Sequence, residues 1–329
     1  MSNINIDLSG VTGGDSLIWD NKNNVFTQTK IPFTDHPNKN LPNFIIGLSG
    51  QSNSQGFNSL YDATNPDDQP DSRIFGWNPL LSQWQIADLN TDSLGWNYHS
   101  FKPHGSQCLA FHFAKRLVES NPNIRPGIVN IGMSGASIAF WAKWQPGDKW
   151  YQTNQANVAK YQGLDFFPDR NTRNTGYLYD AHFLTINDAL QKLNPVNRFV
   201  NVICWHQGEF DTTPNGYLYD SLNLVINQYY NDFANKGYLD KSRFGFIAGS
   251  TTGSFALMSP DSANVNTQLE IINHDSKPYT KEVDGTDLER NAYFGNSNIV
   301  DYWHYTAESQ RRLGRRYFNA YRNMFFTFY

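Results

Sequence analysis

The sequence is poor in several features that define common classes of protein. Only 2 of its 329 residues are cysteine, Cys108 and Cys204, which excludes a disulfide framework but still allows a single bond between the two. Each lies in an apolar stretch, so we expect two buried free thiols. No segment approaches the roughly 18 consecutive apolar residues that a membrane-spanning helix requires. The first residues contain neither the basic nor the apolar region of an export signal.

An excess of positive charge is also missing. The chain has 26 Lys and Arg against 30 Asp and Glu, a formal net charge of -4. A nucleic-acid-binding protein needs a basic surface to displace counterions from phosphates, so we expect no nucleic-acid partner, and the absence of an apolar span predicts no membrane partner. Aromatic residues, in contrast, make up 15% of the chain. Rings in such number either fill a core or stack on sugars.

The first 40 residues differ in composition from the remainder. Glycines and turn-forming polar residues surround two short segments, within residues 7–20 and 24–31, and this pattern is typical of a small β-hairpin. A two-stranded hairpin alone is barely stable in water, so it should pack on another surface. We therefore predict a short β-rich N-terminal arm over residues 1–40, used for attachment or oligomerisation, and a single large domain over residues 41–329.

From residue 43 onward, short apolar strands alternate with amphipathic helices. The pattern predicts strands at 44–49, 128–131, 198–204 and 243–248, and helices at 106–119, 181–193, 218–233 and 307–325. This alternation indicates a mainly parallel sheet covered by helices on both faces, a three-layer α/β/α sandwich. Active sites of such folds lie at the carboxyl ends of the strands. Residues 251–298 show no regular pattern, and we expect a long surface excursion there.

Two polar segments contain the residue types of a serine-type acyl-transfer site. Ser52 lies in a turn of small residues after the first strand, where a hydroxyl can project above the sheet edge. Asp301 and His304 are three residues apart, so a carboxylate and an imidazole can serve one site. A serine needs an imidazole to take its proton, and the imidazole needs a carboxylate to orient it. An ordinary surface turn explains each segment equally well.

Two further segments follow predicted strands. Gly135 allows a backbone N–H group to approach a developing negative charge, and the side chain of Gln207 carries amide donors. Glu209 and Asp211 also allow a different interpretation, the carboxylate pair of a glycosidase. What points to a site is that all four segments stand at element ends that meet along one edge of the sheet.

Together the four segments resemble the sequence blocks of the SGNH hydrolases, in the branch of sialate O-acetylesterases and carbohydrate acetylesterases. The blocks correspond to residues 50–56, 134–141, 205–211 and 301–316, and the resemblance spans about residues 43–322. The chain departs from the usual block residues at Ser54, Ser134 and Ala136. The last two leave open which backbone N–H of the second block is the oxyanion donor.

This resemblance implies an SGNH or flavodoxin-like fold and a serine esterase that removes O-acetyl groups from a carbohydrate, with no metal and no cofactor. It implies Ser52 as the nucleophile, His304 as general base and then acid, and Asp301 as the residue that orients His304. The oxyanion hole would comprise the backbone N–H groups of Ser52 and Gly135 and the side chain of Gln207. The candidate substrate contacts are Gln51, Asn53, Trp141 and Glu209.

The arm carries a second, shorter resemblance. Residues 8–20 are similar to connector repeats of bacteriophage tail fibres and spikes, which implies a virion tail component that acts on a bacterial surface polysaccharide. The arm would then bind other tail proteins or further copies of this chain; without this resemblance, a cytoplasmic location is the expectation.

A function of another class is a non-catalytic carbohydrate-binding or attachment protein on the same fold. Its sugar-stacking face would consist of Trp141, Trp144, Trp150 and Tyr151. Ordinary core packing explains these rings equally well.

Overall fold

Two β-sheets organise the part of the chain that the structure describes. The computed structural model describes residues 15–20, 25–30, 41–57, 59–91, 105–162, 175–211, 216–270, 272, 277–293 and 297–325. Its strands are β1 (Asp15–Asp20), β2 (Val25–Lys30), β3 (Phe44–Gly50), β4 (Phe75–Asn78), β5 (Gln83–Ile86), β6 (Pro126–Gly132), β7 (Val200–His206), β8 (Gly245–Gly249) and β9 (Thr280–Val283). β1 and β2 pair as an antiparallel hairpin, as the sequence predicts.

The other seven strands form one sheet in the order β5-β4-β6-β3-β7-β8-β9. Every neighbouring pair is parallel except β4–β5. From β3 the chain goes to β4 and β5 at one edge, comes back to β6 beside β3, and then continues on the other side of β3 with β7, β8 and β9. The strand order therefore reverses at β3, and ligand crevices of open α/β sheets lie beyond the carboxyl ends of the strands at such a switch point.

Helices cover both faces of this sheet. Among the described residues they are α1 (Leu109–Ser120), α2 (Tyr151–Gln162), α3 (Tyr177–Gln191), α4 (Tyr217–Lys236), α5 (Gly253–Ala256), α6 (Pro260–Glu270) and α7 (Ala307–Phe325). Alternate residues of β3 point to opposite faces: Ile45 packs in the core under α3 and α4, and Ile46 in the core under α1 and α7. The predicted three-layer α/β/α sandwich is confirmed. None of the helices described is both long and apolar enough to cross a bilayer.

The strongest sequence patterns correspond to observed elements. The four predicted strands are β3, β6, β7 and β8, and the four predicted helices are α1, α3, α4 and α7, with shifts of a few residues at their ends. Cys108 and Cys204 are both buried and unbonded to each other, as expected.

The prediction of an irregular excursion over residues 251–298 is wrong, because this stretch contains α5, α6 and β9. α6 is mainly polar, with Val265 and Leu269 as its buried apolar residues, and β9 has four residues. Such short or weakly amphipathic elements give little periodic signal.

A buried ion pair holds the start of α7 in place. Arg311 donates two hydrogen bonds to Asp68, of 2.8 Å from Nε and 2.7 Å from Nη2, and Gln107 donates a third of 2.7 Å. Burial disfavours the charge on Asp68, but the hydrogen bonds, that from Arg311 foremost, outweigh this and lower the pKa of its carboxyl. Thr306 caps the same helix end by accepting from the N–H of Ser309 at 3.2 Å.

Gly50 provides a test of how tightly β3 and β7 approach at the sheet edge. Its φ is +130°, and a Cβ there would overlap the carbonyl oxygen of His206. We expect Gly50→Ala to lower the free energy of unfolding by about 3 kcal/mol, because both the backbone conformation and the contact become unfavourable. Gly237→Ala is the matched control, since Gly237 has φ +72° with no atom near its Cβ position, and should cost about 1 kcal/mol. Equal losses of unfolding free energy in the two variants, measured by urea unfolding, would contradict this expectation.

His182 predicts a pH dependence of stability. Its Nε2 donates to the carbonyl of Val129 (3.2 Å), so Nδ1 accepts from the hydroxyl of Tyr229 (2.7 Å). Burial lowers its pKa to about 4, whereas an unfolded histidine titrates near 6.5. The unfolded chain therefore binds the proton first, and stability falls as the pH decreases from 6.5 to 4, by up to about 3 kcal/mol from this residue. Urea unfolding at several pH values should show that the unfolding free energy of His182→Gln depends less on pH than that of the wild type. An equal pH dependence in the two proteins would refute this prediction.

Candidate active site

Ser52 lies in a tight turn directly after the central strand β3. The turn is closed by backbone hydrogen bonds from Ser54 to Gln51 (3.0 Å) and from Gln55 to Ser52 (3.1 Å), and its first residue is tied to β7 by a bond from Gln51 N–H to His206 O (3.0 Å). Ser52 is 5% exposed. The turn thus places a nearly buried serine at the switch point of the sheet, where the sequence predicts a nucleophile.

Asp301 and His304 form a buried pair in the loop before α7. Nδ1 of His304 lies 3.0 Å and 2.9 Å from the two carboxylate oxygens of Asp301. Because the carboxylate only accepts, Nδ1 carries the proton and Nε2 is the nitrogen able to take another. Asp301 also accepts the backbone N–H groups of Trp303 (3.0 Å) and His304 (3.1 Å). Its carboxylate therefore fixes both the loop and the imidazole.

Asn53 joins the turn of Ser52 to the loop of His304. Its Nδ2 donates to the carbonyl of Trp303 at 2.8 Å, and its Oδ1 accepts from the N–H of Tyr305 at 3.2 Å. Its own carbonyl accepts from the side chain of Gln310 in α7 at 3.0 Å. These bonds bracket His304 on both sides and connect segments about 250 residues apart.

Gln55 connects the same turn to the segment after β6. It donates to the carbonyl of Gly132 (2.6 Å) and accepts from both the N–H (3.1 Å) and the hydroxyl (2.9 Å) of Ser134. Gly135 follows with φ +72°. A Cβ on Gly132 would overlap the hydroxyl of Ser54, so a glycine here leaves room for that side chain. The structure places Gly135 in the turn that Gln55 ties to the Ser52 turn.

The side chain of Gln207 is held by Asp211. Nε2 of Gln207 donates to one carboxylate oxygen at 2.9 Å, while the other accepts from the hydroxyl of Ser137 and the N–H of Ile138, both at 2.8 Å. Burial raises the pKa of Asp211 to about 6, against the effect of these donors. An amide nitrogen carries two N–H groups, so Gln207 keeps a second donor beside the one that Asp211 accepts.

The four predicted substrate contacts are buried. Gln51, Asn53 and Trp141 have no exposed surface, and Glu209 is 6% exposed. Glu209 accepts hydrogen bonds from the amide groups of Gln51 and Asn53, and the ring of Trp141 packs edge-on against Trp205, with centroids 5.1 Å apart. Gln51 and Asn53 thus hydrogen-bond to Glu209, and Trp141 packs in the core. That these four residues contact the substrate stays a prediction.

The remaining rings of the predicted stacking face, Trp144, Trp150 and Tyr151, are half-buried. The indole N–H of Trp144 donates to Ser221 (3.0 Å), and that of Trp150 to Asp220 (2.6 Å), both on α4. Phe57, in contrast, was not predicted; its ring lies 4.8 Å from the imidazole of His304 and is partly exposed. An aromatic residue directly after the glycine of the nucleophile block is the signal that would have found it.

The two carboxylates of the glycosidase interpretation serve internal bonds. Glu209 binds the turn of Ser52 and Asp211 binds Gln207 and the segment after β6, so neither is arranged to flank a glycosidic bond. Within the described residues, no cluster of three His, Cys, Asp or Glu side chains has the spacing to hold a metal ion.

A family model matches most of the chain, and several solved structures resemble its fold. The family described as carbohydrate esterase, sialic acid-specific acetylesterase, matches residues 42–323. A protein from Arabidopsis thaliana superposes with a TM-score of 0.57 and 18% identity, covering 85% of this chain and 98% of the other. NanS superposes with a TM-score of 0.57 and 17% identity, covering 85% of this chain and 97% of NanS. A carbohydrate acetylesterase from Xanthomonas citri has a TM-score of 0.49 and 18% identity, covering 85% of this chain and 56% of the other. No curated protein matches the sequence.

The two structures with the higher scores share the SGNH-type fold with this chain, whereas the family match concerns the sequence itself. That match includes all four polar segments at the carboxyl edge of the sheet. The chain therefore belongs to the carbohydrate esterases of the sialic acid-specific acetylesterase family.

Proposed function

We propose that this protein removes O-acetyl groups from a carbohydrate by acyl transfer through Ser52, His304 and Asp301. The observation that carries the proposal is the buried His304–Asp301 pair, whose loop is hydrogen-bonded through Asn53 to the turn of Ser52. This arrangement supplies a serine, a base with its proton-accepting nitrogen defined, and a carboxylate that orients the base. Membership of a carbohydrate esterase family supports the type of bond.

The reaction would proceed in two steps. Ser52 Oγ attacks the acetyl carbonyl carbon while Nε2 of His304 takes its proton, and the oxyanion that forms accepts hydrogen bonds from the backbone N–H groups of Ser52 and Gly135 and from Gln207. The C–O bond to the sugar then breaks, and the sugar oxygen leaves with the proton from His304. Water attacks the acetyl-serine by the same route, with His304 again as base, and acetate is released.

The substrate we propose is an O-acetylated polysaccharide of a bacterial surface. The support is the family description together with the resemblance of residues 8–20 to tail-fibre connectors. In this proposal residues 41–329 perform the chemistry, and the arm over residues 1–40 attaches the enzyme to virion tail proteins or to further copies of this chain.

The nucleophile is tested by acetate release from an aryl acetate and from O-acetylated bacterial polysaccharide. Ser52→Ala and His304→Ala should each lose at least about a thousandfold in kcat, because the proton-transfer pair is broken. Asp301→Asn should lose less, since the imidazole is still present but no longer held in its tautomer.

Ser120→Ala is the matched control, because its hydroxyl bonds a carbonyl at the end of α1, and its activity should equal that of the wild type. Full activity in Ser52→Ala would sink the proposal. No release by the wild type, with the polysaccharide still bound, would favour a carbohydrate-binding protein instead. The ratio of rates on the two substrates measures whether sugar is the real target.

The arm is tested by comparing the full chain with a variant that lacks residues 1–40. All residues of the candidate site lie beyond residue 40, so activity per chain on an aryl acetate should stay within about twofold. Light scattering should show a smaller assembly for the shortened chain. An unchanged number of chains per assembly would argue against oligomerisation through the arm. A pull-down with tail proteins would then test attachment.

A further inference from the structure

Phe57 lies against both the nucleophile and the base of the candidate site. Its backbone N–H donates to the carbonyl of Ser52 at 2.9 Å. Its ring centroid lies 4.8 Å from that of the His304 imidazole, with 46° between the two planes, and the side chain is partly exposed. The mechanism above does not use this ring, although it adjoins the group that returns a proton to the sugar oxygen.

The chain on both sides of Phe57 is fixed by its contacts. The hydroxyl of Ser59 donates to the carbonyl of Tyr305 in the loop before α7, and the carbonyl of Ser59 accepts from the N–H of Gln107 at 2.8 Å. On the other side, Gly56 has φ +63°, and a Cβ there would overlap the carbonyl oxygen of Gln107. The backbone that carries the ring is thus positioned by the protein itself, which lowers the cost of ordering a contact residue when a ligand binds.

The proposed reaction restricts where the sugar lies. The oxygen that leaves with the sugar takes its proton from Nε2 of His304, so it must come within about 3 Å of that nitrogen. The sugar carbon that bears this oxygen is one covalent bond away. The sugar ring therefore lies beside the imidazole, where the side chains that pack next to the imidazole can contact it.

Two described aromatic rings lie next to the imidazole of His304. The ring of Trp303 is the more distant, with centroids 6.5 Å apart, and it packs against the core under α3 and α4. The ring of Phe57 is closer, and its backbone is bonded to the nucleophile residue. A phenyl ring offers a flat apolar face, and such faces line ligand pockets because they bury the apolar C–H groups of a ligand. Phe57 is thus the ring better placed to cover one face of the sugar.

We propose that Phe57 determines substrate specificity: its ring stacks on the pyranose ring that carries the acetyl group, and thereby favours sugar acetates over small acyclic acetates. This inference rests on the proposed function, which it deepens by naming the contact for the leaving group. Stacking places the ester oxygen at Nε2 of His304, so the binding energy of the sugar contributes to the rate of acyl transfer. An acetate without a ring gains nothing from Phe57.

The contact is tested with glucose pentaacetate, which has a pyranose ring, and with ethyl acetate, which has none. Phe57→Leu keeps an apolar side chain beside the imidazole but removes the flat ring. We expect kcat/KM on glucose pentaacetate to fall about 10- to 100-fold, and kcat/KM on ethyl acetate to change less than about threefold. Phe57→Tyr keeps the ring and should stay within about threefold of the wild type on both substrates. An aryl acetate is unsuitable here, because its own ring would stack on Phe57.

Phe183→Leu is the matched control for these assays. Phe183 is a partly exposed phenylalanine on α3 whose ring stacks on that of Phe233, with centroids 5.7 Å apart, and its variant should change neither value. Equal losses on the two substrates in Phe57→Leu would show that the ring only positions His304, and would overturn the proposal. Unchanged activity on glucose pentaacetate would overturn it as well. If Phe57→Leu does not fold, Phe57→Met, which also lacks a ring, is judged by the same criteria.

A binding measurement separates this inference from the proposed function. In Ser52→Ala, the Kd for glucose pentaacetate, measured by NMR titration, should rise at least about fivefold when Phe57→Leu is added, and should not rise with Phe183→Leu. An unchanged Kd would overturn the stacking contact even if Ser52 is the nucleophile. If Ser52→Ala still releases acetate, the nucleophile assignment fails, but the ratio of the two substrates in Phe57→Leu still tests Phe57. A wild type that acts on polysaccharide but neither binds nor cleaves glucose pentaacetate would overturn this inference alone.

Discussion

The Asn53 carboxamide makes the hydrogen bonds on which the rest of the candidate site depends. It binds Glu209 after β7, the carbonyl of Trp303 and the N–H of Tyr305 in the loop before α7, all in a fully buried position. A buried polar group left without its partner costs about 1–3 kcal/mol. The three segments are therefore most stable in the one arrangement that satisfies this side chain, which is also the arrangement that brings the loop of His304 to the turn of Ser52.

The sheet brings together the segments that the Asn53 side chain connects. β3 and β7 are neighbours, and the absence of a side chain at Gly50 allows the turn after β3 to approach the carbonyl of His206. α7 begins immediately after the loop of His304 and is anchored by the Arg311–Asp68 pair. The loop of His304 is thus tied to α7 at one end and, through Asn53, to the turn after β3, so a site built from distant segments is held together by the protein itself.

Two carboxylates of one short segment organise opposite parts of the site. Glu209 binds the turn of Ser52, and Asp211 binds Gln207 and the residues after Gly135. Both are buried, and burial raises the pKa of each. In the sequence this pair also allowed the interpretation of a glycosidase. The sequence shows the two acids, but it does not show which donors form hydrogen bonds with them.

The sequence by itself determined the architecture, and the resemblance of its four polar segments to known blocks supplied the candidate triad. Continuous apolar runs such as 44–50 are strands buried on both faces, and the amphipathic α7 shows its buried side directly. Three-residue spacing allowed Asp301 and His304 to serve one site, the resemblance to known sequence blocks selected them, and the structure shows them hydrogen-bonded within one loop. β4, β5, β9 and α6 were missed because four-residue strands and a polar helix are stabilised by their neighbours rather than by their own pattern.

Only the tertiary structure decided what Gln51, Asn53, Trp141 and Glu209 do. Polar and aromatic residues at a strand end can face a ligand or one another, and the sequence does not contain the direction of a side chain. Here parallel pairing of β3 with β7 turns Gln51 and Asn53 toward Glu209, and packing on Trp205 removes Trp141 from the surface. The physical reason is that buried amides, carboxylates and large rings take whichever partners satisfy them, and those partners come from distant parts of the chain.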